Sequence, residues 1–304
     1  MPENGEREAM DLCDISTIKA LLARHGFHFS KSMGQNFLIE PWVPHQIAQA
    51  SGAGPDTAVL EIGPGIGPLT SELCRRAGRV VAVELDQRLV PVLEETMAPY
   101  DNFTLVPGDI LKLDIPALVG ERMAGYTPLV CANLPYNITT PILTALVEAK
   151  CFETITVMIQ KEVAERLAGG PGSDYGAFSV FIQYYTEPEV LFDVPPTCFL
   201  PAPKVTSAVL RCRVRRQPPV ALRCPEPFFF RTVRAAFALR RKTLVNSLQS
   251  VFGGQLSKEQ LAAAVEDCGL PPSVRGERLG LEEFAALSGT LYRHLPGHHN
   301  GGKE

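Results

Sequence analysis

The chain reads as an α/β protein: a Rossmann-like domain built on a mostly parallel seven-stranded sheet, with a small all-helical C-terminal domain. Three observations predict this. Short apolar runs alternate with helical patterns from Val59 to Ile159, as a parallel sheet with crossover helices requires. A glycine-rich turn, Gly63-Pro64-Gly65-Ile66-Gly67, joins the first of those runs to a helix. From Pro218-Pro219 onward only helical spacing remains, which marks a second domain. The expected divisions are a flexible N-terminus at 1–14, the Rossmann-like domain at 15–216, the helical domain at 217–296 and a tail at 297–304.

Composition narrows the class. The 304 residues are 45% hydrophobic and 20% charged, ordinary values for a globular protein, so a full core and two domains are expected. No apolar run reaches membrane-spanning length. The polar, acidic start, Met1 to Glu8, is unlike a targeting peptide, and a cytoplasmic location is expected. The eight cysteines at 13, 74, 131, 151, 198, 212, 224 and 268 form no CxxC pair, so reduced core thiols and no metal site are expected. Nothing suggests a stable oligomer; a monomer is expected. The net charge of −4 conceals an asymmetry: residues 1–199 carry 13 Lys and Arg against 25 Asp and Glu, whereas 200–242 carry 11 against Glu226 alone. A basic segment on an acidic protein is the footprint of a polyanion, with a solvated charged face as the plain alternative.

Along the chain, Ile15–His25 has helical spacing, and a polar loop from Phe27 ends in Asn36-Phe37-Leu38 before a second helix at Val43–Ala50. Val59–Ile62 is a strand, and the glycine turn after it lets backbone approach a ligand closely. A dinucleotide fingerprint would place its third glycine at 68, where this chain has proline. Arg79–Leu85 is the next strand. Glu84 at its end lies about twenty residues past the turn, placed to accept from both hydroxyls of a ribose, or simply a strand-end glutamate. After the helix Gln87–Met97 and the strand Phe103–Val106 comes Gly108-Asp109-Ile110. Asp109 suits the amino group of an adenine, or caps the next segment.

The run Pro128–Ala132 then leads into Asn133-Leu134-Pro135-Tyr136, with Thr140 as the expected N-cap of the following helix and Pro141 in its first turn. An Asn side-chain carbonyl, a free backbone carbonyl at Leu134 before Pro135, and the face of Tyr136 together describe a grip on an exocyclic amine of a flat ring. A polar turn after a strand is the plain alternative. Thr154–Ile159 is a fifth strand, with a charged helix, Gln160–Leu167, and a flexible Gly169–Ser173 stretch after it. Glu189–Asp193 and Ser207–Val214 are expected to pair at one sheet edge. The stiff loop Phe199–Val205 between them is expected to mount an exposed ring at Phe199, or else to plug the core with it. Helices are expected at Pro227–Leu239, Arg241–Ser250, Lys258–Cys268 and Leu281–His294. Arg231, Arg234, Arg240, Arg241 and Lys242 would give the first two a basic face.

From Ile15 to His294 these motifs resemble the ribosomal RNA adenine N6-dimethyltransferase family, and most of all its bacterial small-subunit branch. The resemblance rests on Gly34–Leu38, Glu61–Gly67, Glu84-Leu85-Asp86, Gly108–Ile110, Asn133–Ile138, Phe199–Val205 and Ala236–Leu244. It implies a methyltransferase domain that uses S-adenosylmethionine and dimethylates N6 of two adjacent adenosines in the 3′-terminal hairpin of 16S ribosomal RNA, within the small subunit or its precursor. It implies cofactor contacts at Asn36, Leu38, Gly63, Gly65, Glu84, Asp109, Ile110 and Asn133, and a catalytic set of Asn133, Leu134, Pro135, Tyr136 and Phe199. RNA contacts are expected at Lys204, Arg231, Arg234, Arg240, Arg241 and Lys242. Three rival readings stand beside it: a resistance methyltransferase acting on large-subunit RNA, a non-catalytic ribosome-assembly factor, and a nicotinamide oxidoreductase. Pro68 and the acceptor-only tetrapeptide disfavour the last.

Overall fold

The computed structural model describes residues 10–26 and 36–295. Of the N-terminus expected to be flexible, residues 1–9 lie outside the described residues, as do the loop 27–35 with Gly34-Gln35 and the tail 297–304. Residues 10–14 correct that expectation: Leu12 and Cys13 are buried and Asp14 caps the first helix. Helix α1 (Ile15–Arg24) starts where the Asp14 carboxylate accepts from the Thr17 N–H, and it buries Ile18, Leu21 and Leu22 at helical spacing. There follow β1 (Phe37–Leu38), α2 (Trp42–Ala50), β2 (Thr57–Ile62), α3 (Pro68–Cys74), β3 (Arg79–Glu84), α4 (Val90–Met97), β4 (Phe103–Pro107) and α5 (Ile115–Arg122). Next come β5 (Thr127–Asn133), α6 (Thr139–Glu148), β6 (Thr154–Gln160), α7 (Lys161–Ala168), α8 (Ala177–Tyr185), β7 (Thr186–Val194), β8 (Phe199–Leu200) and β9 (Ser207–Val214). Four helices complete the described chain: α9 (Glu226–Ala236), α10 (Leu244–Phe252), α11 (Lys258–Asp267) and α12 (Leu281–His294).

Seven strands form one sheet in the order β4-β3-β2-β5-β6-β9-β7. The pairs from β4 through β6 are parallel and β9 runs antiparallel to β6. The central strands are largely apolar and buried along nearly their whole length, because helices cover both faces of a parallel sheet. Strand order reverses between β2 and β5, so their carboxyl ends part and leave a crevice where such sheets bind ligands. A separate two-stranded ribbon pairs β1 with β8, Leu38 opposite Phe199.

By contacts the chain divides into one unit of 1–164 with 189–214 and another of 165–188 with 215–304. This differs from the expected break at 216/217, because α8 joins the helical unit. Val180 and Tyr184 of α8 are buried in one cluster with Phe229, Leu248 and Leu291. The hydroxyls of Tyr184 and Tyr185 both donate to the Glu226 carboxylate.

Two local expectations are corrected. Helix α6 begins at Thr139, not after a Thr140 cap: the 3-10 turn Tyr136–Ile138 runs straight into it, and Thr139 Oγ1 donates to the Pro135 carbonyl. The basic face on two helices is also corrected. Only Arg231 and Arg234 lie on α9, whereas Arg240, Arg241 and Lys242 lie in the turn before α10. The helix stops because the chain turns back on itself. The Ala238 N–H donates to the Ala235 carbonyl, the Leu239 N–H to Ser247 Oγ, and the Lys242 N–H to the Leu239 carbonyl.

Gly78 sets the entry to β3. Its N–H donates to the Gly54 and Thr57 carbonyls, and a Cβ there would lie 2.1 Å from the Pro55 oxygen and 2.4 Å from the Tyr126 ring. Because one of those atoms is backbone, Gly78→Ala is expected to destabilise the fold by about 2–3 kcal/mol. The denaturant midpoint measures it, and an unchanged midpoint contradicts it.

Candidate active site

The carboxyl ends of β2, β3, β4 and β5 open on a cavity of about 260 Å³. After β2 the chain enters the glycine turn with positive φ at Gly63 (67°), Gly65 (64°) and Gly67 (96°). Gly67 needs glycine for its φ of 96°, which L side chains rarely adopt, and a Cβ there would also press on the Met97 methyl of α4 at 2.6 Å. Pro68 opens α3 directly behind it.

Glu84, at the end of β3, is only 5% exposed. Its Oε2 accepts from the Gly65 N–H at 3.2 Å and its Oε1 from the Asp86 N–H at 2.8 Å. Burial raises its pKa, and these two N–H groups oppose the rise. Each oxygen keeps one lone pair, enough for the two hydroxyls of a ribose. Asp109 caps the 3-10 turn that starts at Ile110, with Oδ1 accepting from the Leu111 N–H at 3.1 Å; it lines the cavity together with the buried Ile110.

On the β5 side, the Leu134 N–H donates to the Met158 carbonyl at 3.1 Å while its side chain is buried. Pro135 offers no N–H, and no described hydrogen bond ends on the Leu134 carbonyl or the Asn133 amide. The half-buried Tyr136 reaches across to Ser207 at the start of β9, hydroxyl to hydroxyl at 2.6 Å. Asn36 and Leu38 line the same cavity from the β1 side.

The expectation of an exposed ring at Phe199 is corrected. Phe199 is 3% exposed and packs in a cluster with Leu38, Val194 and Cys198, held there by its β8–β1 pairing, yet it still forms part of the cavity wall. All twelve residues expected to bind cofactor or act in catalysis line this one cavity.

The basic residues are distributed differently. The exposed Lys204 belongs to the sheet unit and the other five to the helical unit. Arg231 is half-buried, its guanidinium 4.6 Å from the Phe252 ring centre and donating to Gln255. Arg234, Arg241 and Lys242 are exposed, as is Arg240, whose guanidinium also donates to the Ser173 carbonyl. Elsewhere in the basic segment, Arg211 and Arg213 pair with Glu189, and Arg215 with Glu187.

Sequence reasoning gave Glu61 no role. It is 1% exposed at the cavity, its Oε2 has no partner, and burial raises its pKa from 4.5 to about 8, with Glu84 adding to the rise. The signal was present as an acid inside an apolar strand one residue before the glycine turn. Glu61, Glu84 and Asp109 are the acidic residues of the described lining, which holds no Lys or Arg, and burial keeps the Glu61 carboxyl mostly protonated at neutral pH. A cavity lined by acids and by no Lys or Arg fits a positively charged ligand such as S-adenosylmethionine and is ill-suited to a diphosphate. Among the described residues no helix is long and apolar enough to cross a membrane, and no cluster of three His, Cys, Asp or Glu could hold a metal.

Comparison with known proteins agrees with this geometry. Residues 26–267 match the family model described as ribosomal RNA adenine dimethylase. A Geobacillus thermodenitrificans protein named ribosomal RNA small subunit methyltransferase A is 47% identical over 285 residues, covering 92% of this chain and 97% of its own length. A Bacillus mycoides protein of the same name is 46% identical over 288 residues, covering 93% and 98%. Among solved structures, a dimethyladenosine transferase from Plasmodium falciparum superposes with a TM-score of 0.70 at 23% identity, covering 82% of this chain and 95% of that one, which speaks for the fold. The 23S rRNA methyltransferase ErmE gives a TM-score of 0.66 at 28% identity, covering 84% and 99%. With this match over most of its length, the chain belongs to the ribosomal RNA adenine dimethylase family of S-adenosylmethionine-dependent methyltransferases.

Proposed function

We propose that this chain dimethylates N6 of two adjacent adenosines in the 3′-terminal hairpin of 16S ribosomal RNA, acting as a cytoplasmic monomer on the small subunit or its precursor. The observation that carries the reading is the convergence of Asn133–Tyr136 with Gly63, Glu84 and Asp109 on one acid-lined cavity. The 47% identity to a protein named for the small subunit, against 28% to the large-subunit enzyme ErmE, favours this substrate over the resistance reading. An intact tetrapeptide and acid set speak against a non-catalytic assembly factor.

S-adenosylmethionine, when bound, supplies an electrophilic methyl group. Asn36, Leu38, Gly63, Gly65, Glu84, Asp109, Ile110 and Asn133 would hold it, with Glu84 on the ribose hydroxyls and Asp109 on the adenine amino group. The target adenine leaves its stack to enter the site. Tyr136 offers it a face and Phe199 backs the wall. The Asn133 side-chain carbonyl and the Leu134 carbonyl accept its two N6 hydrogens. The N6 lone pair is delocalised into the ring, so acceptors aimed at a pyramidal nitrogen stabilise the transition state more than the planar ground state. The proton departs after transfer, and the monomethylated amine keeps one hydrogen for a second round.

Three outcomes are expected. Asn133→Ala should lower kcat for methylation of undermethylated small subunits by about 100-fold or more while leaving RNA affinity nearly unchanged; equal losses in both contradict the assigned role. The combined Arg241→Glu and Lys242→Glu variant should weaken subunit binding and flatten the slope of log affinity against log salt by about two. An unaltered slope removes the turn from the interface. Folded Glu61 binds its proton more tightly than the unfolded chain does, so its contribution to stability is lost as pH rises from about 4.5 through about 8. Glu61→Gln should therefore flatten the fall in ligand-free stability across that window, as read by denaturant midpoints.

A further inference from the structure

We propose that Ser207 is a positioning residue for the methyl transfer, its hydroxyl fixing the Tyr136 ring in the attitude in which it receives the target base. The inference rests on the reading of Tyr136 as that base's platform.

The two side chains meet at 2.6 Å, but their supports differ in stiffness. Ser207 opens β9 opposite Gln160 of β6, and the carbonyl of the preceding Thr206 accepts from the Lys161 N–H at 3.0 Å. Its backbone is therefore locked by the sheet, and the residue is 0% exposed. Tyr136 sits on a three-residue 3-10 turn without a side-chain cap, half-buried at the cavity. Burial raises its phenol pKa while the Ser207 hydroxyl opposes the rise, so the phenol keeps its proton at neutral pH. A tyrosine ring has two torsions, and anchoring its far end to a rigid strand removes the swing that a short turn leaves free. Phe199 needs no such anchor, because the β8–β1 pairing and its own burial hold it. The Ser207 hydroxyl touches neither reacting atom and acts through Tyr136 alone. Small displacements of a stacked base lose in-line alignment, so the effect should appear in turnover and not in donor binding.

A double-mutant cycle tests this. Ser207→Ala, Tyr136→Phe, the double variant and Tyr136→Ala are assayed for kcat and for KM of S-adenosylmethionine, using undermethylated small subunits. Ser207→Ala and Tyr136→Phe are each expected to lower kcat about tenfold with KM for the donor unchanged, and the double variant to lose no more than either single one. Tyr136→Phe deletes the same hydrogen bond without touching β9, so a poorly folded Ser207 variant leaves the inference open to refutation. If Tyr136→Ala is impaired while Tyr136→Phe or Ser207→Ala turns over like the parent, the positioning role is wrong and the platform stands. Multiplicative losses in the double variant also refute it. If Tyr136→Ala turns over like the parent, the platform reading itself falls and the positioning role with it.

Discussion

The carboxylate of Glu84 ties together the two turns on which the site depends. One oxygen holds the glycine turn after β2 through the Gly65 N–H, and the other holds the turn after β3 through the Asp86 N–H. Buried at the carboxyl edge of the sheet, it would be costly without those partners, and with them it fixes the backbone where the strand order reverses. In the proposed reading, the two oxygens of this structural staple would also be the acceptors for a ribose.

The opposite wall uses the same economy of strand ends. Asn133 is the last residue of β5, and its neighbour Leu134 is moored to Met158 through its N–H. Both residues line a cavity whose described lining contains no charged donor. In the proposed reading an amine with hydrogens to give would satisfy their carbonyls, and a methyl donor with positive charge would suit Glu84 and Asp109.

The helical unit has its own logic. The Glu226 carboxylate receives two tyrosine hydroxyls from α8, so the one acid in the basic segment is an internal tie. Ion pairs to Glu187 and Glu189 absorb Arg211, Arg213 and Arg215. What remains of the segment exposed to a polyanion is Lys204 on one unit and, on the other, Arg216, Arg223, Arg234 and the cations of the turn before α10. The basic run in the sequence overstated the usable charge, because neighbours distant in sequence neutralise part of it.

Alternation of apolar runs and helical patterns was enough to read the sheet domain, the later helices and the strand-end positions of Gly63, Glu84, Asp109 and Asn133, since period and turn chemistry are local properties. Helices α5 and α8 escaped that reading. Pro116 and Gly120 interrupt the first, and the second, Ala177–Tyr185, is a short, mostly apolar run that length and composition do not separate from a strand. Only the tertiary structure assigned α8 to the helical unit, buried Phe199, moved the Arg240–Lys242 cations off a helix, left the Glu61 oxygen unpartnered and brought Ser207 to Tyr136 across 71 residues. Each of these depends on which distant segment fills the space beside a residue, and no local pattern carries that information.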